Sequence, residues 1–296
     1  MAENTNISWC DATFNPWVGC VKVSEGCKHC YAEEFMTRKG RWANTWGPAQ
    51  TTERIKTSDS NWRKPLAWNK RAAKEGKRVK VFCASLADVF EDNDKLIDWR
   101  LDLLDLIGQT PNLDWLVLTK RPEIARQFFR LRADLLYPNI WLGTTIENQE
   151  QAEKRIPELL RIPARVRFLS CEPLLGPVDF DDVIPGGVSA VDGPYVPGIH
   201  WVIVGGESGF NARPMHSDWA QSLRDQCQAA GVAFHFKQWG ELLDVDIAIQ
   251  AGIIDTYTDT HKIINYNGHY YAKVGKHAAG RLLDGRTWDE FPEVNQ

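Results

Sequence analysis

The sequence predicts an α/β protein, a full or partial (β/α) TIM-type barrel, from three observations. Short β-branched and aromatic runs recur from Arg78 onward, each closing in small or polar residues. Helical patterns separate them, and crossovers of that length imply parallel strands. The length of 296 residues also suits one such barrel with additions, since barrels run to about 250 residues. A doubly wound open sheet is the alternative, because parallel strands alone do not establish closure.

Taken in order, "NISWCDATFNP" supplies a first strand, with a cysteine-bearing loop directly after it. Residues 36–80 form a basic, Trp-rich insertion. Six further strands follow as "VKVFCAS", "LDWLVLTK", "NIWLGTT", "VRFLSCEP", "IHWVIVGGES" and "VAFHFKQWG", for seven in all, or eight. Between them, "DKLIDWRLDLLDLIGQT" has helical apolar spacing and "HSDWAQSLRDQCQAAG" is closed by Gly231. The stretch "IPGGVSAVDGPYVPG" reads as a long surface loop. The tail reads as a hairpin and a small appendix. The expected division is a barrel-like domain over 1–240 and a C-terminal appendix over 241–296 packed on it.

Composition narrows the function classes. Hydrophobic residues at 43% and charged residues at 25% are ordinary for a soluble globular protein. Thirteen Trp residues are not ordinary, and suit either a stiff core or an aromatic-lined cleft. No apolar leader and no run of eighteen apolar residues occurs, so a cytoplasmic location away from membranes is expected. Between Met36 and Lys80 thirteen Lys or Arg face Glu53, Asp59 and Glu75, a local +10 that leaves −14 for the rest of a chain of net charge −4. Trp42, Trp46, Trp62 and Trp68 lie within that segment. Cations interleaved with aromatic faces match what backbone phosphates and unstacked bases require, which makes a nucleic acid a candidate partner. A solvated insertion pinned to the body by its tryptophans is the plainer alternative.

Seven cysteines in a chain without export signals argue against a disulfide framework and for metal or redox chemistry. Three of them, Cys20, Cys27 and Cys30, fall in "NPWVGCVKVSEGCKHCYAEEF". Zinc would want four tetrahedral ligands, with His29 or Cys10 completing the set. Three thiolates on one loop also suit a [4Fe-4S] cluster whose fourth iron has no protein ligand.

The loop, ending in C-x-x-C and followed by a helix, resembles the cluster loop of radical S-adenosylmethionine enzymes. It departs in having six residues between its first two cysteines, where those enzymes typically have three. Across nearly the whole chain, the blocks "NPWVGCVKVSEGCKHCYAE", "LTKRP", "LGTTIEN", "FLSCEPLLGP", "VGGESGFNARPMHSDW", "FKQWG" and "GRLLDGRTWDEFP" resemble a phage-associated three-cysteine family of uncharacterised function, itself similar to radical S-adenosylmethionine proteins. The resemblance implies that Cys20, Cys27 and Cys30 each bind one iron. The open iron would then take the amino and carboxylate groups of S-adenosylmethionine, and a reductant protein would supply the electron for radical formation. His29 would lie against the adenine. The Gly-Gly-Glu block that such enzymes carry after their second strand is replaced here by "CASLADVFED", where Ser85 or Asp88 could accept from the methionine ammonium.

On a barrel, polar residues at the strand ends converge on one mouth. They are Ser85 and Asp88, Thr119 with Lys120 and Arg121, Thr144 with Thr145 and Glu147, Cys171 with Glu172, Glu207 with Ser208, and Lys237 with Gln238. A charge placed directly after an apolar strand is costly to bury unless it meets a polar ligand. Lys120, Arg121, Cys171 and Glu172 are the catalytic candidates, and His29, Ser85, Asp88, Thr144 and Glu207 the cofactor-binding ones. Lys120 and Arg121 would pair a carboxylate or phosphate, Glu172 and Glu207 ribose hydroxyls or an ammonium, and Cys171 would donate a hydrogen atom or ligate a second metal, with inert packing as the plainer alternative. His216 is expected to cap a helix or to pack. The function expected is a radical S-adenosylmethionine-like enzyme modifying or repairing a nucleic acid or nucleotide. The alternative is a non-catalytic, zinc-stabilised nucleic-acid-binding protein. A hydrolase lacks its usual supports, since no phosphate loop, nucleophile elbow or HExxH helix occurs.

Overall fold

The computed structural model of the chain describes residues 3, 5–38, 40, 43–183, 198–257 and 262–294. Lys39, Arg41 and Trp42 of the basic segment, and residues 184–197 of the Pro- and Gly-rich stretch, lie outside the described residues. The strands are β1 (Ala12–Thr13), β2 (Trp17–Val18), β3 (Ile55–Lys56), β4 (Val79–Cys83), β5 (Leu113–Thr119), β6 (Ile140–Thr145), β7 (Val166–Cys171), β8 (Trp201–Gly205), β9 (Ala233–Gln238), β10 (Leu242–Asp244), β11 (Ile263–Tyr266) and β12 (His269–Lys273). The helices are α1 (Tyr31–Arg38), α2 (Asp59–Trp62), α3 (Lys64–Glu75), α4 (Ile97–Gly108), α5 (Pro122–Leu131), α6 (Gln149–Leu160), α7 (Ser217–Ala230), α8 (Val245–Gln250) and α9 (Lys276–Ala279).

Seven strands form one sheet in the order β1-β4-β5-β6-β7-β8-β9, with β1–β4, β4–β5, β5–β6 and β8–β9 paired in parallel. The order follows the chain without reversal, which is the order of a (β/α) barrel and not of a doubly wound sheet with its switch point. β1 and β9 are the sheet's edges, so it is an open, partial version of that fold. All seven expected strands are present, the first reduced to two residues. β10, β12 and β11 make a separate antiparallel sheet that contains the expected hairpin.

The chain divides into two compact units, Met1–Thr145 with Arg155–Phe168, and Ile146–Lys154 with Leu169–Gln296. In the first, Trp9 packs against Phe82 of β4 at 4.5 Å with the rings tilted, and Phe14 meets Trp62 and Trp115 edge-on. In the second, Trp201 packs against Phe291 at 5.0 Å. Eight of the twelve described tryptophans are buried, so the Trp excess chiefly builds a stiff core. Helix ends follow local chemistry. Pro65 and Pro122 open α3 and α5, and Gly76 and Gly231 close α3 and α7 in the left-handed region that favours glycine. His216 caps α7, its Nδ1 accepting the Asp218 N–H at 3.2 Å. No described helix is long and apolar enough to cross a membrane.

Candidate functional site

The cysteine loop of the first unit begins at Gly19, whose φ of +111° favours glycine and whose Cβ, if present, would stand 2.4 Å from the Thr45 carbonyl oxygen. Its N–H donates to the Leu86 carbonyl at 3.0 Å, so the loop starts against the turn after β4. Cys20 follows, forming an isolated parallel bridge with Trp46 and accepting the Gly47 N–H on its carbonyl at 3.1 Å. Cys27 closes a 3-10 turn over Glu25–Cys27, with its N–H on the Ser24 carbonyl at 2.9 Å. Cys30 starts α1, its carbonyl accepting the Glu34 N–H at 3.0 Å. The order of strand, thiol loop and helix expected from the sequence is therefore present.

Around Cys20 the ends of β4 and β5 place a dense set of charges. Asp88 lies in the turn after β4, and its carboxylate accepts four hydrogen bonds. Thr119 Oγ1 (2.6 Å) and the Phe90 N–H (2.9 Å) donate to Oδ1, the Lys120 N–H (3.0 Å) and Arg121 Nη1 (2.7 Å) to Oδ2. Burial alone would raise the Asp88 pKa, but the Arg121 guanidinium and the other donors hold it below the usual carboxylate value. Arg121 Nη2 donates to the Val21 carbonyl at 2.9 Å, and its Nη1 stands 4.0 Å from Cys20 Sγ. Burial and the Asp88 carboxylate push the Cys20 thiol up to about 12, partly offset by Arg121. Burial also raises Cys30, whose thiol is pulled the other way by the N–H groups of Glu33 and Ala32 and by Lys120. Cys30 thus faces the positive end of a helix.

Several candidates are committed to internal structure. Asp88 has no acceptor geometry left over for an ammonium, because its four donors belong to the protein. Ser85 Oγ is held by the Asn15 amide at 3.0 Å, and its carbonyl accepts from Tyr31 Oη at 2.9 Å. Thr144 is fully buried and its hydroxyl donates to the Thr119 carbonyl inside the sheet. His29 and Lys120 are half-buried.

In the second unit two acidic candidates have cationic partners. Glu172, just after β7, meets Lys237 Nζ at 2.6 Å. Gly205 of β8 permits this, since a Cβ there would stand 2.7 Å from Glu172 Oε1. Glu207 is gripped by Arg213, whose backbone N–H, Nε and Nη2 donate at 2.8, 2.9 and 2.6 Å. The Gly-Gly-Glu segment thereby closes its own loop, and Gly206 is required because a Cβ would lie 1.8 Å from the Trp239 carbonyl oxygen. Cys171 is fully buried, and burial pushes its thiol well up, so it is neutral at physiological pH.

Sequence reasoning missed Asn15, Arg54 and Glu91. Asn15 is buried and accepts the Leu86 N–H at 2.7 Å, fastening the end of β1 to the turn after β4; the Asn-Pro pair was its only signal. Arg54 and Glu91 form a buried ion pair with Arg54 Nη2 at 2.6 Å from Glu91 Oε1. Nothing in the linear sequence relates them across 37 positions.

The fold and loop define a class: a parallel α/β protein with a three-thiol loop following its first sheet strand. The chain belongs to the family described as "Protein of unknown function (DUF5131)", which matches residues 4–292. No curated protein sequence matches it. Among solved structures it has a distant likeness to a double mutant of spore photoproduct lyase with bound AdoMet and dinucleoside spore photoproduct, at 11% identity and a TM-score of 0.41, covering 88% of this chain and 68% of that one.

Proposed function

We propose that the chain is a radical S-adenosylmethionine-like iron-sulfur enzyme, with a [4Fe-4S] cluster held by Cys20, Cys27 and Cys30, acting on a nucleic acid or nucleotide. The observation that carries this is the setting of the three thiols, which lie on one loop with Cys20 beside the Arg121 guanidinium and Cys30 at the start of α1. Burial keeps both thiols protonated in the metal-free chain, and the Arg121 guanidinium and the N–H groups opening α1 are the groups that would offset the charge of an anionic cluster. Among the described residues no three His, Cys, Asp or Glu side chains are gathered as a metal-ligand set. The donor chemistry fits the cluster, and loading requires the three sulfurs to be drawn together.

When bound, the cluster and S-adenosylmethionine supply one-electron reduction and hydrogen-atom abstraction, with a reductant protein as electron source. The chain's residues then divide the remaining work. Lys120 is better suited than Arg121 to a carboxylate, because both Arg121 terminal nitrogens already bond Asp88 and Val21. His29, between Cys27 and Cys30, has the loop position to lie against a base. In the second unit, taken by itself, Glu172 and Lys237 form an ion pair able to hold and move a proton, while Cys171 is fully buried. The phage association that accompanies the family resemblance fits modification or repair of nucleic acid.

Anaerobic reconstitution with iron and sulfide analysis tests the cluster, and electron paramagnetic resonance of the reduced protein with and without S-adenosylmethionine tests the cofactor. A cluster signal that changes on addition is expected, and Cys27→Ala should lose the iron. Zinc without iron in the reconstituted wild type would sink the proposal, make the loop a structural clip and move the search for function to the basic segment.

A further inference from the structure

Two buried arginines reach the backbone on both sides of Cys20. Arg54 and Glu91 are 2% and 0% exposed at their side chains. All five guanidinium donors of Arg54 are used: Nε and Nη2 on the Glu91 carboxylate (3.1, 3.0 and 2.6 Å), Nη1 on the Thr45 carbonyl (2.9 Å) and Thr52 Oγ1 (2.8 Å), and Nη2 on the Gly47 carbonyl (2.8 Å). Gly47 in turn donates its N–H to the Cys20 carbonyl, and Thr45 lies against Gly19. From the other side Arg121, neutralised by Asp88, donates to the carbonyl of Val21. Both carboxylates lie in the same turn after β4, which Arg100 straps by donating to the carbonyls of Val89 and Glu91 at 2.8 Å each.

Burying a charged pair is costly unless the geometry is excellent and every remaining donor is satisfied. Simple stability would be served as well by apolar side chains of similar size. A fully satisfied guanidinium network instead fixes one arrangement of several backbone segments. We infer that Arg54 and Arg121 are positioning residues that clamp Cys20 in place before any metal binds, Arg54 through the 45–47 segment and Arg121 through Val21. The inference rests on the proposed cluster for its purpose and not for its mechanics. Within the loop, Cys20 is then the fixed thiol, while Cys27 and Cys30 lie outside the clamp.

The test is site-resolved alkylation of the full-length, metal-free, reduced chain with iodoacetamide, read by peptide mass spectrometry. The variants are Arg54→Lys, which keeps the charge but not the fork, and the double variant Arg54→Met with Glu91→Leu, which leaves no unpaired buried charge. Both should label Cys20 faster than wild type by at least about tenfold, the effect of losing one charge-assisted hydrogen bond from the closed state. Labelling of Cys27 and Cys30 should change far less. Unchanged Cys20 labelling would overturn the inference, and so would equal acceleration at all cysteines, the mark of general loosening. Parallel iron analysis separates the two proposals: faster Cys20 labelling in variants of a chain that takes up no iron leaves the clamp standing and removes the cluster.

Discussion

Asp88 shows how a residue that looks like a ligand can instead be a support. Its position after an apolar strand suggested a partner for the methionine ammonium, yet its carboxylate is satisfied by Thr119, Phe90, Lys120 and Arg121. Glu207 repeats the pattern with Arg213. Asp88→Asn keeps the shape but leaves the Arg121 charge without its counterion in a buried setting, so a loss of about 3–5 kcal/mol is expected. Urea unfolding at pH 7 measures it. A loss below about 1 kcal/mol, the range of an exposed pair, would show that Asp88 is free to serve a ligand. What hid this in the sequence is that a carboxylate's partners come from other strands: the "TKR" run that satisfies Asp88 lies more than thirty residues away.

At the scale of elements, the βα rhythm was readable because each parallel strand buried on both faces is a continuous apolar run, and "LDWLVLTK" and "VRFLSCEP" became β5 and β7 less their polar ends, Lys120 and Glu172–Pro173. β2 and β3 were not readable, since two-residue strands carry no periodicity. The basic insertion also resolves into parts the sequence could not separate. Trp68 of α3 is buried, and Trp62 packs edge-on against Phe14 beneath Lys56. These rings pin the insertion and are not free for bases. Arg63, Lys64, Lys70, Arg71 and Lys74 remain exposed on and beside α3, with Arg71 paired to Glu3. If α3 meets nucleic acid, it does so through phosphates. Neutralising Lys70, Arg71, Lys74, Lys77 and Arg78 together should lower affinity for single-stranded DNA and flatten its dependence on salt, by up to about 0.7 in logarithmic slope for each phosphate that no longer meets a cation. Filter binding over a salt series checks this, and an unchanged slope would make the segment a solvated face.

For the molecule as a whole, the ionisable groups set distinct pH windows for stability. Among the described residues His235 of β9 is fully buried, and burial, with a smaller push from Arg281 and Lys237, lowers its pKa to about 4 against the opposing Asp289 carboxylate. In the unfolded chain the same imidazole titrates near 6.5. A depressed histidine favours the fold only while it stays neutral, so its contribution is complete above about 6.5 and is lost as pH falls toward 4, because the unfolded state binds the proton first. The carboxylates held low, Asp88, Asp284 and the exposed Asp134, act later, below the ordinary carboxylate value. The interval from pH 6.5 to 4 therefore isolates His235. Unfolding free energy of the wild type should fall across it by up to about 3 kcal/mol, at 1.36 kcal/mol per pKa unit. His235→Phe, which keeps a ring between Trp201 and Phe291, should flatten that slope whatever its cost at pH 7. Urea titrations at half-unit steps decide the matter, since an undiminished slope in the variant would assign acid sensitivity to other groups and leave His235 as packing alone.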